Sequence, residues 1–373
     1  MNKIKTLIIF GTRPEAVKMA PIVKSLKDDE EHFITKICVT AQHRDMLDQV
    51  LRIFDIEPDY DLNIFQSGQT LTQITCRAMM GLEDVIKEFK PDLILVQGDT
   101  TTVFAGALAA FYHQVRIGHV EAGLRSGNLY SPYPEEANRK LAGVLTDFHF
   151  APTETSRQNL LREGYDDSKI FITGNTSIDA LKWVIDKNYK FEDERLNNID
   201  FENKKVLLLT AHRRENIGVP MENIFSAVKK AAEANKNVEV IYPMHLNPKV
   251  REIATKIFGN MNNVHLIEPL DYLPFTNLMA KCYMVVTDSG GVQEEAPSFG
   301  KPVLVVRRET ERPEGIEAGT ARLVGTEEEV IYKEIDTLIN NEQEYKKMAN
   351  AVNPYGDGRA AESIKRAIIN NMM

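Results

Sequence analysis

The stretch HVEAGLRSGNLYSPYPEEANR, residues 119–139, places three carboxylates next to cationic and aromatic side chains. Glu121 ends an apolar run, and Glu135 and Glu136 follow Pro134 at the start of a helical pattern. The helix dipole favours negative charge at such a start, which accounts for Glu136 and in part for Glu135. It does not account for Glu121, because a carboxylate at a buried strand end costs free energy unless it is paired or used. The stretch therefore points to a carboxylate with a partner or a chemical role.

Two further stretches place reactive groups directly after apolar runs. In GTRPEAVK, residues 11–18, Gly11 permits a tight turn and Pro14 suits a first helical turn, so a phosphate could meet Arg13 and the helix start. A plain strand-to-helix turn with a solvated arginine is the alternative. In QGDTTTVFAG, residues 97–106, Asp99 is either a helix cap or a functional carboxylate at a strand end.

The second half of the chain repeats this arrangement. TAHRREN, residues 210–216, brings His212 and two arginines after an apolar run, where the cations could neutralise a pyrophosphate. TDSGGVQEEAPSFGKP, residues 287–302, opens a helix with Ser289, Gly290 and Gly291, whose backbone N–H groups would form an anion site. Glu295 lies one turn further and could accept hydrogen bonds from a ribose. Together with Arg312, these residues predict a bound nucleotide.

Several other chemistries lack their sequence signatures. The histidines show no metal-ligand spacing such as HExxH, so we predict no catalytic metal. Neither a P-loop nor a GxSxG motif occurs. The chain has no GxGxxG, which argues against a dinucleotide cofactor, and we expect no cofactor. Cys38, Cys76 and Cys282 are far apart and form no CxxC pair, so a disulfide framework is not expected and a reducing cytoplasm is the simplest location.

Composition restricts the partners further. The formal net charge of -9 argues against a broad nucleic-acid surface, which needs a basic face. The N-terminal apolar run lacks the features of a signal peptide, and no apolar stretch has the length of a membrane span. We therefore expect a protein that binds neither nucleic acid nor membrane.

The elements that must position these groups alternate between short apolar runs and helical patterns, which favours parallel, doubly wound sheets. The helical patterns include Ala16–Lys27, Thr101–Tyr112 and Met221–Ala234. The predicted strands are Thr6–Phe10, Ile34–Thr40, Leu93–Gln97, Arg116–Val120, Phe148–Ala151, Ile170–Thr173, Val206–Thr210, Val238–Tyr242, Val264–Ile267, Met284–Thr287 and Pro302–Val306.

The strands fall into two sets, and 373 residues suit two domains. The polar segment 187–205 lies between the sets and indicates a linker there or slightly earlier. The predicted fold class is α/β, with two Rossmann-like doubly wound domains that face each other across a cleft. Ligands bind beyond the carboxyl ends of strands in such sheets, which is where the motifs lie.

The motifs in their order resemble the bacterial non-hydrolysing UDP-N-acetylglucosamine 2-epimerases over essentially the whole chain. The matching stretches are FGTRPEAVKMAP, TAQHRDMLDQVL, GDTTTVFAGALAAF, HVEAGLRSGNLYSPYPEEANR, FITGNTSIDAL, TAHRREN, TDSGGVQEEAPSFGKPVL, ETERPEGIEAGT and NPYGDGRA.

The resemblance implies a glycosyltransferase-B-type fold whose last helix, about Arg359 to Met372, returns to the first domain. The implied domains are residues 1–172 plus 356–373 and residues 173–355. The implied activity is cofactor-free interconversion of UDP-GlcNAc and UDP-ManNAc by homodimers, through UDP elimination to a 2-acetamidoglucal, in supply of bacterial surface polysaccharide.

The resemblance also implies roles for individual residues. Asp99, Glu121 and Glu135 match the family's acidic trio and become candidate acid/base groups, and His212 matches its catalytic histidine. The residues carried over to the substrate are Arg13, Lys18, Leu270 (backbone only), Phe275, Ser289, Gly290, Gly291, Glu295 and Arg312. Gln42 and His43 match the site of a second UDP-GlcNAc that acts as an activator; an arginine that some members have near this site is Gly68 here, so the details of activator binding differ.

Three other functions stay open at this point. A hydrolysing relative would release free ManNAc and UDP, a retaining glycosyltransferase would need an acceptor groove, and a sensor would bind UDP-GlcNAc without turnover. The extended motif match argues against the first, no acceptor-binding feature supports the second, and the intact acidic trio and His212 argue against the third.

Overall fold

The computed structural model describes residues 3–41, 44–259 and 261–373. Gln42 and His43, the residues expected at an activator site, lie outside these ranges. The strands within them are β1 (Ile4–Phe10), β2 (Phe33–Val39), β3 (Tyr60–Asp61), β4 (Leu93–Gln97), β5 (Arg116–Val120), β6 (Phe148–Ala151), β7 (Ile170–Ile172), β8 (Lys205–Thr210), β9 (Val238–Pro243), β10 (Val264–Ile267), β11 (Met284–Thr287), β12 (Val303–Val305) and β13 (Ala321–Leu323).

Helices follow most strands. They are α1 (Arg13–Lys27), α2 (Arg44–Ile53), α3 (Leu71–Phe89), α4 (Thr101–Tyr112), α5 (Glu135–Leu145), α6 (Glu154–Arg162), α7 (Thr176–Val184), α8 (Glu194–Asn197), α9 (Val219–Ala234), α10 (Pro248–Phe258), α11 (Tyr272–Lys281), α12 (Gly290–Glu295), α13 (Pro313–Glu317), α14 (Glu328–Asn340), α15 (Glu342–Ala349) and α16 (Ala360–Met372). Short 3₁₀ helices span Asp167–Lys169, Arg214–Asn216 and Ala296–Phe299. In these ranges no helix is both long and apolar enough to cross a membrane.

The strands form two parallel sheets. Within the described residues the first has the order β3-β2-β1-β4-β5-β6-β7 and the second β10-β9-β8-β11-β12-β13. The chain runs outward from β1 and then returns to β4 on the other side, and it does the same from β8 to β11. Each sheet therefore has a point where its strand order reverses, and ligands of open α/β sheets bind beyond the strand ends there. The α/β class with two doubly wound sheets is confirmed.

Burial explains why the apolar runs form strands. Every residue of β4 is buried, as are the last five of β1 and of β8, because helices cover both faces of each sheet. Burying one such aliphatic side chain contributes about 1.5–3 kcal/mol. The two strands absent from the prediction, β3 and β13, have two and three residues and lie at sheet edges, so they carry almost no apolar signal.

Side-chain oxygens cap the starts of three helices in the first half of the chain. The Glu15 carboxylate accepts the N–H of Thr12 at the start of α1, Thr70 and Gln73 form a capping box at the start of α3, and the hydroxyl of Thr100 accepts the N–H of Val103 at the start of α4. Each cap satisfies backbone N–H groups that would otherwise lack partners, which is worth about 1 kcal/mol.

The chain divides into two compact units, Met1–Trp183 with Tyr355–Met373, and Val184–Pro354. The first crossing lies later than the expected limit between residues 172 and 173. The helix α7 explains the difference, because its Asp179 accepts the backbone N–H groups of Ala360 and Ala361 at 3.1 and 2.9 Å. These bonds hold α7 to the start of α16, which itself packs against α1.

The polar segment 187–205 is part of the second unit rather than a free linker. Phe191 and Leu196 are buried in its core, and Tyr189, Ile199 and Phe201 pack against them. These apolar side chains are spaced irregularly among charged residues, which hid their contribution in the sequence.

Candidate active site

The turn after β1 brings a helix start close to two neighbouring strand ends. A Cβ at Gly11 would lie 2.0 Å from Thr40 Oγ1 and 2.5 Å from Thr102 Oγ1, so only glycine fits. The requirement is close approach rather than an unusual turn conformation. Arg13 begins α1 half-buried, and its guanidinium has no ion pair within the described ranges.

Glu15 ties this turn to the next strand end. Its carboxylate is buried and accepts the backbone N–H groups of Gly11 at 3.1 Å and Thr12 at 2.7 Å, and the hydroxyl of Thr100 at 2.8 Å. Burial raises the pKa of Glu15 to about 7, against these hydrogen bonds, which lower it. The sequence analysis did not single out Glu15; the capping-box spacing TRPE was the available signal.

Glu121 lies just beyond β5 with φ at +63°, a backbone conformation that costs a non-glycine residue about 1–3 kcal/mol. Lys18 Nζ lies 2.5 Å from its Oε1, and Asn175 Nδ2 donates to the same oxygen at 3.2 Å. Gln97 Nε2 donates to Oε2. The strand-end carboxylate is therefore paired, and three donors from three elements fix it.

Asp99 and Glu136 share the cation of Arg139. Arg139 donates to Asp99 Oδ2 through one nitrogen and to Glu136 Oε2 through the other, at 3.1 Å in the second case. Glu136 is fully buried and accepts the backbone N–H of Ser126 at 3.0 Å, so it organises the loop before α5. Glu135 is the half-buried first residue of α5, and its carboxylate has no ion pair within the described part of the chain.

Two buried histidines lie within the neighbouring strands β5 and β6. His119 Nε2 lies 2.7 Å from the carbonyl oxygen of Gly98, and the His149 ring contacts Tyr165 at 4.7 Å between centroids. Burial lowers the pKa of His119 to about 4 and that of His149 to about 3, so both are neutral at pH 7.

The second unit is organised around Asp288, which the sequence analysis did not single out. Its buried Oδ2 accepts the backbone N–H groups of His212 at 2.9 Å and Arg213 at 2.8 Å, and the Asn216 amide at 3.1 Å. Its position directly after β11, next to the Ser-Gly-Gly run, was the available signal. Asp288 therefore holds the loop after β8 against the end of β11.

His212 is partly exposed and has two neighbours that shape its chemistry. Its Nδ1 lies 3.8 Å from Asp288 Oδ1, and its ring stacks on His245 with centroids 5.1 Å apart and planes at 8°. Burial lowers the pKa of His212, and His245 and Arg213 lower it further against the carboxylate of Asp288. The ring of His245 therefore packs face to face against the ring of His212.

The helix start after β11 presents the predicted Ser-Gly-Gly run. Ser289 is the N-cap of α12, and Gly291 is exposed. A Cβ at Gly290 would lie 3.2 Å from Arg312 Cζ, so the missing side chain admits the guanidinium. Arg312 Nε donates to the buried Glu294 at 2.8 Å. The arrangement combines backbone N–H groups with a fixed cation, as an anion site requires.

The remaining predicted positions lie on the adjoining segment of this unit. Leu270 and Phe275 are partly buried against its core, before and within α11, and Glu295 is half-buried at the end of α12. The negative charge of Glu295 contributes to a raised pKa of Tyr272, whose main cause is burial. Within the described ranges, no group of three or more His, Cys, Asp or Glu side chains could hold a metal ion.

The sequence model of the UDP-N-acetylglucosamine 2-epimerase family matches residues 24–369. The chain belongs to this family.

Relatives agree with that assignment over almost their full length. The chain is 56% identical to the UDP-N-acetylglucosamine 2-epimerase of Escherichia coli K12 over 373 residues, with 99% of each chain covered. It is 54% identical to the enzyme of that name from Bacillus subtilis over 369 residues, covering 99% of this chain and 96% of the relative. The crystal structure of UDP-GlcNAc 2-epimerase from Neisseria meningitidis bound to UDP-GlcNAc is 49% identical, with a TM-score of 0.88 and coverage of 99% and 100%.

For this member of the epimerase family, the sequence-predicted residues fall into two groups. Arg13, Lys18, Asp99 and Glu121 lie at the carboxyl ends of β1, β4 and β5, or in the helices that follow them, with Glu135 at the start of α5. His212, Ser289, Gly290, Gly291 and Glu295 follow β8 and β11, and Arg312, Leu270 and Phe275 lie on adjoining segments. Both groups centre on the point where the strand order of their sheet reverses.

Proposed function

We propose that this protein interconverts UDP-GlcNAc and UDP-ManNAc without hydrolysis, and that the product supplies bacterial surface polysaccharide. The observation that carries the proposal is the carboxylate of Glu121, which follows β5 in a strained backbone conformation and is held by three donors, next to the reversal point between β1 and β4. The family assignment supports the same activity, and the Neisseria meningitidis relative is described as bound to UDP-GlcNAc.

The chemistry at C2 explains why carboxylates and cations are both needed. C2 carries an amide nitrogen and no adjacent carbonyl, so its proton is too weakly acidic for simple removal and return. In the proposed route the C1–O bond breaks, its electron pair leaves with UDP, and the C2 proton moves to a carboxylate. The resulting 2-acetamidoglucal regains UDP at C1 while C2 accepts a proton on the opposite face.

The first unit supplies the acid/base groups in this proposal. Asp99, Glu121 and Glu135 share the two proton transfers, which need carboxylates within hydrogen-bond reach of C2. Lys18 Nζ lies 2.5 Å from Glu121 Oε1 and places positive charge beside the carboxylate that we propose to accept the proton. Lys18 and Arg13 also bind the nucleotide in this proposal, as the family resemblance implies.

The second unit receives the nucleotide. The partly exposed imidazole of His212 stabilises the departing phosphate, and the N–H groups at Ser289, Gly290 and Gly291 bind the pyrophosphate. Glu295 accepts hydrogen bonds from the ribose, and Arg312 lies near the sugar. Phe275 and the backbone at Leu270 hold the uracil.

Proton NMR of UDP-GlcNAc incubated with the purified protein in D₂O, with no added metal or nicotinamide, tests this function. We expect UDP-ManNAc that carries deuterium at C2. Free ManNAc with UDP as the main products would establish the hydrolysing reaction instead. Conversion with the C2 proton retained would contradict the elimination route, and binding without conversion would contradict the epimerase proposal.

We also propose a homodimer formed through α3, α4 and α5. The helix α4 packs against both others, and their outer surface exposes large apolar side chains. These are Met80, Phe111, Tyr112, Leu141 and Val144, at 70, 54, 67, 49 and 72% exposure. Exposed large apolar side chains on neighbouring helices are typical of an interface.

Light scattering coupled to size exclusion tests the dimer. The wild type should elute as a dimer, and Met80→Glu with Val144→Glu should elute as a monomer. Val352→Glu is the matched control, because Val352 is 84% exposed but lies in the second unit. A monomeric wild type, or a dimer that survives the double change, would contradict this surface.

A second UDP-GlcNAc is proposed as an activator that binds Gln42 and His43. Initial rates measured against UDP-GlcNAc concentration should be sigmoidal, and Gln42→Ala with His43→Ala should remove the sigmoidal shape. Hyperbolic rates in the wild type would contradict the activator.

A further inference from the structure

We propose that Asn175 is a positioning residue that aims the carboxylate of Glu121 at the substrate, with Gln97 as its counterpart on the other carboxylate oxygen. This inference rests on the proposed epimerisation at C2. Neither residue has a charged or nucleophilic group of its own, so each would act through Glu121.

The amide of Asn175 is oriented by a second bond. Its Oδ1 accepts the backbone N–H of Ser177 at 3.0 Å, in the turn that starts α7. An amide whose oxygen accepts an N–H must present its NH₂ elsewhere, and here Nδ2 donates to Glu121 Oε1 at 3.2 Å. The hydrogen bond at the start of α7 therefore places an N–H donor of Asn175, rather than its oxygen, against Glu121.

The backbone of Asn175 is fixed as well. Its N–H donates to the carbonyl oxygen of Tyr355 at 2.7 Å, and the residue is 3% exposed. Asp179, one turn along α7, is bonded to the start of α16. Asn175 thus offers a donor whose position is set by the segment where the chain re-enters the first unit.

Gln97 completes the arrangement from the sheet. It is the last residue of β4, is 2% exposed, and donates through Nε2 to Glu121 Oε2. Lys18 places positive charge beside one oxygen of Glu121. The two amides are uncharged, and their hydrogen bonds orient the carboxylate. A carboxylate that must receive a proton from one carbon atom needs such direction, because a misplacement of about 1 Å can cost about 100-fold in rate.

The substitution Asn175→Asp separates this role from a structural one. Aspartate keeps the size of the side chain and the oxygen that accepts the Ser177 N–H, but it replaces the donor with a second oxygen facing Glu121. We expect kcat to fall about 100-fold, while KM for UDP-GlcNAc and Kd for UDP change less than about twofold. The rate of C2 proton exchange in D₂O should fall in parallel with kcat.

A matched control is Asn341→Asp. Asn341 also accepts backbone N–H groups through Oδ1, from Gln343 and Glu344 at the start of α15, and it is exposed in the second unit. Its kcat should equal that of the wild type. If Asn175→Asp does not fold, Gln97→Met removes the other neutral donor at similar volume and should give the same loss of kcat at constant KM.

The outcomes distinguish this inference from the proposed function. A wild type that does not epimerise would remove the basis of both. A wild type that epimerises, with Asn175→Asp and Gln97→Met both within about twofold of its kcat, would overturn the positioning role alone. Equal losses in kcat, in UDP binding and in thermal midpoint would also overturn it, since that pattern belongs to a structural defect.

Discussion

The two units share one sheet topology but use their strand ends in different ways. Asp99 follows β4 at the reversal point of the first sheet and Glu121 follows the adjacent β5, and the cation or amide partners of both carboxylates leave them as potential reagents. At the equivalent point of the second sheet, the carboxylate of Asp288 is buried, and its Oδ2 accepts backbone N–H groups. What that unit exposes is an imidazole and a helix start.

This difference shows that the place of a ligand site and the chemistry at that site have separate causes. The strand order determines that a ligand binds beyond the same strands in both sheets. In the proposed reaction the side chains determine what happens there: the first unit would offer groups that exchange protons, and the second would offer groups that bind and stabilise an anion. We therefore expect changes in the first unit to affect proton transfer at C2 and changes in the second to affect the departure of UDP.

The largest effect on turnover should follow the loss of the Glu121 carboxylate in the first unit. Glu121→Gln keeps the shape but removes the charge, so we expect kcat to fall by about 10³-fold in the NMR assay, with loss of C2 exchange. Glu154→Gln is the control, because Glu154 is an exposed carboxylate of the same unit that pairs with Arg157. Full turnover by Glu121→Gln would remove the acid/base role.

Loss of the imidazole in the second unit should have a smaller effect. His212→Asn should lower kcat by about 10²-fold, as expected when one group that stabilises a departing anion is removed. The control is His265→Asn, since His265 lies in β10 and meets Glu239 at 2.8 Å. If His212→Asn matched the loss in Glu121→Gln and abolished C2 exchange to the same degree, the division of labour between the units would be wrong.

Asp288 should matter for stability before it matters for catalysis. Asp288→Asn weakens or removes hydrogen bonds from three N–H donors to a buried side-chain oxygen, so we expect the free energy of unfolding to fall by about 3 kcal/mol. Urea denaturation followed by circular dichroism measures this. Asp271→Asn is the comparison, because the Asp271 side chain makes no capping hydrogen bond to α11. Equal stability of both variants would contradict the structural role of Asp288.

The smallest expected effect is a loss of stability in acid, caused by a buried histidine of the first unit. The folded-state pKa of His149 is lowered to about 3, so below pH 6.5 the unfolded chain takes up a proton that the folded chain does not. Stability is therefore lost as pH falls from 7 to 5, by about 2 kcal/mol for this residue. His149→Phe keeps a ring against Tyr165 and should remove that loss, measured by urea denaturation at both pH values.

Glu15 acts in the opposite direction over the same range. Its pKa is raised to about 7, so the folded chain takes up a proton between pH 7 and 4.5 and gains stability as pH falls. Comparing His149→Phe with the wild type at each pH cancels this contribution. An unchanged pH dependence in His149→Phe would contradict a neutral buried imidazole.

Periodicity predicted most of the regular structure. Among the strands that the structure describes, β1, β2 and β4 to β12 were located within two residues at each end, because burial on both faces leaves a largely continuous apolar run. Short edge strands and the segment 187–205 were not, because their apolar side chains are few or irregularly spaced. The strand-end position of Asp99, Glu121 and His212 followed from the same pattern.

The hydrogen-bond partners of those residues could not be predicted from periodicity. Glu121 meets Lys18, Gln97 and Asn175, which come from α1, β4 and the start of α7. Asp288 accepts the backbone N–H groups of His212 and Arg213 and the side-chain amide of Asn216, all from the loop after β8. Hydrogen bonds between residues distant in sequence depend on the packing of whole elements, and no local pattern encodes that packing.

By itself, the sequence determined the α/β class, the alternation of strands and helices, and the groups that follow the strands, because hydrophobic periodicity and residue type are local properties. The tertiary structure alone decided that Glu15 is buried between two strand ends, that Lys18 pairs with Glu121, and that Asp288 is held by backbone N–H groups. Charge pairing and desolvation act through space, so they become defined only when the sheets have formed and the strand order has brought distant residues together.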